Sequence, residues 1–134
     1  HFQCLLSQLL STKTFPTEAF NRDISKDISN WISNWDVSRG TNFGSMFYNA
    51  RAFNQAISNW DVSSGTNFAF MFDHANVFNQ NITNWDVSSG TDFSGMFYNA
   101  TDFNQAISNW DVSSGTDFGH MFNTAKIFNQ DISN

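Results

Sequence analysis

Apolar residues return along this chain with a period of 25. Trp35, Trp60, Trp85 and Trp110 stand 25 residues apart, as do Phe43, Phe68, Phe93 and Phe118. The same step relates the pairs Met46-Phe47, Met71-Phe72, Met96-Phe97 and Met121-Phe122. It also relates Ala50, Ala75, Ala100 and Ala125, and Phe53, Phe78, Phe103 and Phe128. Repetition on this length scale marks units too small to bury an apolar face alone, which do so by stacking. Four full units run from Ile32 to Asp131, a fifth begins at Ile132, and residues 1–31 break the period.

Within one unit, Ile57 to Asn81, the pattern changes character twice. Ile57, Trp60 and Val62 have the spacing of the strand segment in leucine-rich repeats. Trp60 and Val62 share one face of such a strand, and Asn59, Asp61 and Ser63 take the other. Ser63-Ser64-Gly65-Thr66 reads as a turn. Phe68, Met71, Phe72 and Ala75 then fall at i, i+3, i+4 and i+7, the stripe of a short helix. Phe78-Asn79-Gln80 leads back to the next strand. The predicted fold is a repeat solenoid of leucine-rich-repeat type, in which strand, turn and short helix stack with a parallel sheet on one face. Residues 1–31 are predicted to be an N-terminal cap and a degenerate first coil, and 32–134 the four repeats plus the start of a fifth. Leu5, Leu6, Leu9 and Leu10 supply the cap's apolar positions.

Composition narrows the function. Sixteen Phe and five Trp in 134 residues give ample aromatic surface to bury, so the chain is a folded one. The formal charge is −6 with only six Lys plus Arg, which leaves little to neutralise a phosphate backbone. Nucleic acid is therefore not an expected partner, nor is an anionic membrane surface. No apolar run reaches the ~18–20 residues of a membrane span. Cys4 is the only cysteine, so no intrachain disulfide can form. The start at His1 suggests a processed chain or a fragment, and the first ten residues read poorly as a signal peptide.

The units SNWDVSSGTNFAFMFDHANVFNQNI and SNWDVSSGTDFSGMFYNATDFNQAI resemble the BspA-like leucine-rich repeat and the mycoplasma-type surface lipoprotein repeat. The resemblance covers about Ile28 to Asn134 and rests on W-D-V-S, M-F, A and F-N-Q recurring in order. The chain departs from the family at Gly65 and its equivalents, where Val is usual, and at Phe68 and its equivalents, where Met is common. The resemblance implies a secreted or surface-attached protein used in adhesion or partner binding, with no shared catalytic site.

Chemistry is sparse. The Trp, Phe and Met columns read as core. The column Asp36, Asp61, Asp86 and Asp111 would set carboxylates about 5 Å apart along a stack, at a cost of roughly 1 kcal/mol per contact in water. Turn N–H groups are the expected offset; shared calcium is the alternative, although the glycine-rich calcium repeat pattern is absent. No other cofactor is expected. The Asn54-Gln55 columns read as ladders that satisfy backbone groups. Asn81 and Asn99 open the sequons Asn81-Ile82-Thr83 and Asn99-Ala100-Thr101 and are the glycosylation candidates. His74 and His120 differ in phase, and neither zinc spacing nor a catalytic triad is suggested.

The function expected from these features is a non-catalytic, extracellular or cell-surface module for adhesion or for binding a protein or glycan. A binding face should vary between repeats. The varying slots are Ser45/Phe70/Gly95/His120, Asn49/His74/Asn99/Thr124 and Ala56/Asn81/Ala106/Asp131. The alternative is a filament subunit that self-associates head to tail, with Phe128 and Ile132 as the end-stacking residues.

Overall fold

The computed structural model describes residues 32–133. The expected cap and worn first coil at 1–31 lie outside the described residues. Over 33–133 each 25-residue unit lies directly on the next, and the aromatic columns record the stacking. Phe47, Phe72, Phe97 and Phe122 form one column with ring centroids 5.4, 5.6 and 5.5 Å apart. Phe43, Phe68, Phe93 and Phe118 form a second at 5.5, 5.4 and 5.3 Å. Phe53, Phe78, Phe103 and Phe128 form a third at 5.7, 6.0 and 5.8 Å. The first and third columns touch inside every unit, as at Phe72 and Phe78, 4.0 Å apart. Apart from Phe118, these columns and the Met column lie in or pack against one continuous core.

The value of stacking can be read from a single slot. Phe93 has a ring on each side, Phe68 and Phe118, and is fully buried; Phe118 has one on a single side among the described residues and is 41% exposed. Burying a Phe side chain contributes about 1.5–3 kcal/mol. Each unit therefore draws its stability from its neighbours.

Over 33–133 the backbone reaches this arrangement through turns and isolated bridges rather than the expected strand and helix. Over 68–75 the N–H groups alternate. Those of Phe68, Phe70, Phe72 and His74 donate to the carbonyls of Asp92, Ser94, Met96 and Tyr98 in the next unit, at 2.8–2.9 Å. Those of Met71, Asp73 and Ala75 donate three residues back within the unit, and Ala69 donates to Asn67 Oδ1. Every N–H of this buried segment has a partner, which a buried backbone requires. A helix would have used all of them internally and left nothing to hold the neighbouring unit. Phe70 and His74, at φ 55° and 57°, stop the helical path.

Over 57–62 the side chains point as alternation predicts, with Trp60 and Val62 buried and Asn59 and Asp61 exposed. The hydrogen bonds differ. Trp60 N–H donates to Ile57 and Gly65 N–H to Val62, two successive turns. The ties to the preceding unit come from side chains instead: Trp60 Nε1 donates to the Ile32 carbonyl at 2.9 Å and Asn59 Nδ2 to the Ser33 carbonyl at 2.8 Å. Trp85 and Trp110 donate likewise to Ile57 and Ile82 at 3.1 Å. Parallel pairing occurs further on, as isolated bridges Asn42–Asn67, Asn67–Asp92 and Asp92–Asp117.

Side-chain ladders close the remaining edge. Asn54 Oδ1 accepts from the Asn79 backbone N–H at 2.9 Å, and Gln80 Nε2 donates to Asn54 at 3.0 Å. Asn79 with Asn104 and Gln105 repeats the arrangement. No helix among the described residues is long and apolar enough to cross a membrane.

Candidate functional site

The Asp column is bound into its own turns. Asp61 Oδ1 accepts from the Ser63 N–H at 3.1 Å and from its hydroxyl at 2.6 Å. Asp36 with Ser38 and Asp86 with Ser88 repeat both bonds. Asp111 accepts from the Ser113 N–H at 3.0 Å. The serine hydroxyl, then the serine N–H, hold all four carboxyls below their usual range. Repulsion from Asp86 and Asp36 acts on Asp61 the other way and is a lesser effect. Each carboxylate thus serves as the acceptor of a local turn. Among the described residues no three His, Cys, Asp or Glu side chains converge as a metal site.

The sequons differ in setting. Asn81 is exposed, its Oδ1 accepting the Thr83 N–H at 3.0 Å. Asn99 is half-buried, with Nδ2 2.9 Å from His74 Nε2 and Oδ1 accepting from the Thr124 hydroxyl at 2.6 Å. Of the two, only Asn81 presents an amide nitrogen without such a partner.

The end-stacking candidates sit at an apolar face. Phe128 packs half-buried against Phe103 and Phe122, and Ile132 is 59% exposed. Ile132 lines, with Ile107, Trp110, Val112, Phe118, Met121 and Phe122, a depression of about 200 Å³. Phe43, in the first described unit, is fully buried.

The turn edge at 44–52, 69–77, 94–102 and 119–127 gathers two of the three varying slots. Ser45, Phe70, Gly95 and His120 all have φ between 55° and 58°, and Asn49, His74, Asn99 and Thr124 between 54° and 58°. Left-handed backbone costs a bulky residue such as Phe about 1–3 kcal/mol, and such strain concentrates at functional sites. Phe70 accepts that conformation and still leaves its side chain 41% exposed. Its ring lies over Gly95, where a Cβ would stand 2.4 Å from Phe70 Cε1, so Gly95 serves both the positive φ and the ring. Beside it runs an aromatic row across three units: Tyr48 stands 6.4 Å from the His74 ring, and His74 5.8 Å from Tyr98. Tyr48 is 55% exposed and Tyr98 half-buried. The third varying slot, Ala56/Asn81/Ala106/Asp131, is exposed outside this edge.

Neither Tyr48 nor Asp73 was legible as a site residue in the sequence. One signal was there: Gly95, Asn49 and Asn99 occupy the two left-handed slots, and Gly and Asn tolerate that conformation best.

A family described as "Mycoplasma protein of unknown function, DUF285" matches residues 14–134. No curated protein and no solved structure matches the chain.

Proposed function

The chain belongs to DUF285, a Mycoplasma family of unknown function, and we propose that it is a non-catalytic, surface-exposed module that binds a protein or glycan through its turn edge. We read the stacked units as a solenoid of the BspA-like leucine-rich-repeat type, the finer resemblance carried by W-D-V-S, M-F and F-N-Q. The observation that carries the reading is the exposure of Tyr48 and Phe70 beside half-buried His74 and Tyr98 on one edge, in slots that vary while the core columns repeat. A monomeric surface leaves large aromatics bare mainly where a partner covers them, and Tyr is enriched in such interfaces.

The test is a binding screen of the chain against panels of extracellular proteins and glycans, repeated with Tyr48→Ser/Phe70→Gly. Gly at 70 keeps the left-handed turn, so the variant should fold. The expected result is specific binding by the parent and at least a tenfold loss in the variant, about 1.4 kcal/mol or more, with a melting temperature within a few degrees. A parent that binds nothing, or a variant that binds as well, would contradict the reading.

A further inference from the structure

Residues 73 and 74 depart from the Tyr-Asn pair of their repeat, as Asn123 and Thr124 also do. Tyr stands at 48 and 98 and Asn at 49 and 99, but this unit carries Asp73 and His74. Asp73 is the one buried charged side chain of the described residues, and its Oδ1 meets His74 Nδ1. Nε2 of the same ring lies 2.9 Å from Asn99 Nδ2 in the next unit. Across that amide, Asn99 Oδ1 is 2.6 Å from Thr124 Oγ1, one unit further on. Thr124 Oγ1 is also 2.6 Å from the Asn123 carbonyl. A single line of polar contacts therefore crosses three units.

Counting protons along that line gives two consistent arrangements. In the first, the imidazole is neutral. Nδ1–H donates to Asp73, Asn99 Nδ2 donates to Nε2, and the Thr124 hydroxyl donates to Asn99 Oδ1. A hydroxyl has one proton, so the second short contact, to the Asn123 carbonyl, is then oxygen against oxygen with no hydrogen between. In the second, the Asn99 amide is turned by half a rotation, which exchanges its oxygen and nitrogen in the same space. Nδ2 now donates to Thr124 Oγ1, and the hydroxyl is free to donate to the Asn123 carbonyl. Both 2.6 Å contacts hold a proton. The turned amide presents its oxygen to Nε2, and that contact is a hydrogen bond only if Nε2 also carries a proton. With Nδ1–H already committed to the Asp73 carboxylate, the second arrangement contains an imidazolium.

We propose that His74 is a proton-operated latch: uptake of one solvent proton at Nε2 turns the Asn99 amide over and lines up His74, Asn99, Thr124 and Asn123 as one donor-to-acceptor chain across three units. The titratable groups facing the ring are Asp73 on its own turn and the phenols Tyr48 and Tyr98 from the units on either side. Arg51, on the preceding unit's turn, donates to Asn49 Oδ1. The latch lies in the middle of the aromatic row, so acid would tighten the same edge that carries Tyr48 and Tyr98. It stands independently of whether that edge binds a partner.

Side-chain NMR of the full chain, labelled with 15N, tests this from pH 8 to pH 5, the range in which an imidazole takes up a proton. At pH 8 the expected His74 tautomer is Nδ1–H, with the Asn99 amide protons giving nuclear Overhauser contacts to the His74 ring. At pH 5 both ring nitrogens should be protonated and those contacts should move to the Thr124 side chain. Replacing the exposed His120 with Gln should leave the change at Asn99 as it is in the parent. A ring that is Nε2–H at pH 8, or Asn99 contacts that stay on His74 while the ring titrates, would overturn the proposal.

Discussion

Trp85→Ala, in the middle of the stack, is expected to lower folding stability by about 3–5 kcal/mol. The indole is buried and faces Phe72 at 6.3 Å, so its loss removes a large apolar surface and leaves a hole between two units. The change also deletes the bond from Nε1 to the Ile57 carbonyl, the direct tie of this slot to the preceding unit. That bond contributes about 0.5–1.5 kcal/mol. Ile57 is not left bare by the mutation, because its carbonyl also accepts the Trp60 N–H. Trp85→Phe, which restores ring volume but not the N–H, should recover most of the loss. Denaturant unfolding of both variants is the measurement. A cost under about 1 kcal/mol for the alanine would mean that the Trp column does not join the units.

Gly90→Val is expected to cost about 1–3 kcal/mol through overpacking, and Phe93→Met in the same chain to restore much of it. A Cβ built at Gly90 stands 2.4 Å from Phe93 Cζ and 2.9 Å from the Val87 carbonyl. Gly65 is in the same position under Phe68, with Phe43 of the preceding unit 2.9 Å away as well. These are the two slots at which the chain departs from the repeat it resembles, with Gly in place of Val and Phe in place of Met. The structure makes them one change: the Phe ring fills the space that a side chain on the glycine would need. A flexible, narrower Met can yield to Val where the ring cannot. A double-mutant cycle by thermal melt should therefore give a coupling of about 0.5 kcal/mol or more. Additive effects at the two sites would contradict the compensation.

The period and the core columns were legible in the sequence because stacking sets residue i against residue i+25. Trp85, Phe72 and Phe97 had to repeat for the core to close. The local path between columns was not legible. Phe68, Met71, Phe72 and Ala75 record which side chains face inward, and that record suits a helix and a series of turns equally. What separates the two is where each N–H goes, and burial spacing says nothing about it. The Asp column was legible as a turn acceptor because Ser follows two residues after each Asp. Its bonds do run to those serines. Asp73 and His74 gave only the weak signal of breaking a repeat, since their meaning depends on Asn99 and Thr124 arriving from later units.

The central claim is that successive 25-residue units are joined by alternate backbone N–H groups rather than by helices packed side by side. Scalar couplings transmitted through backbone hydrogen bonds test it most directly, since they identify the carbonyl each N–H is bonded to. Phe72 N–H should couple to the Met96 carbonyl and His74 N–H to that of Tyr98, with Met71 and Ala75 pairing to Phe68 and Phe72. Coupling of Phe72 to Phe68, as in an α-helix, or the absence of any coupling between residues 24 apart, would contradict it.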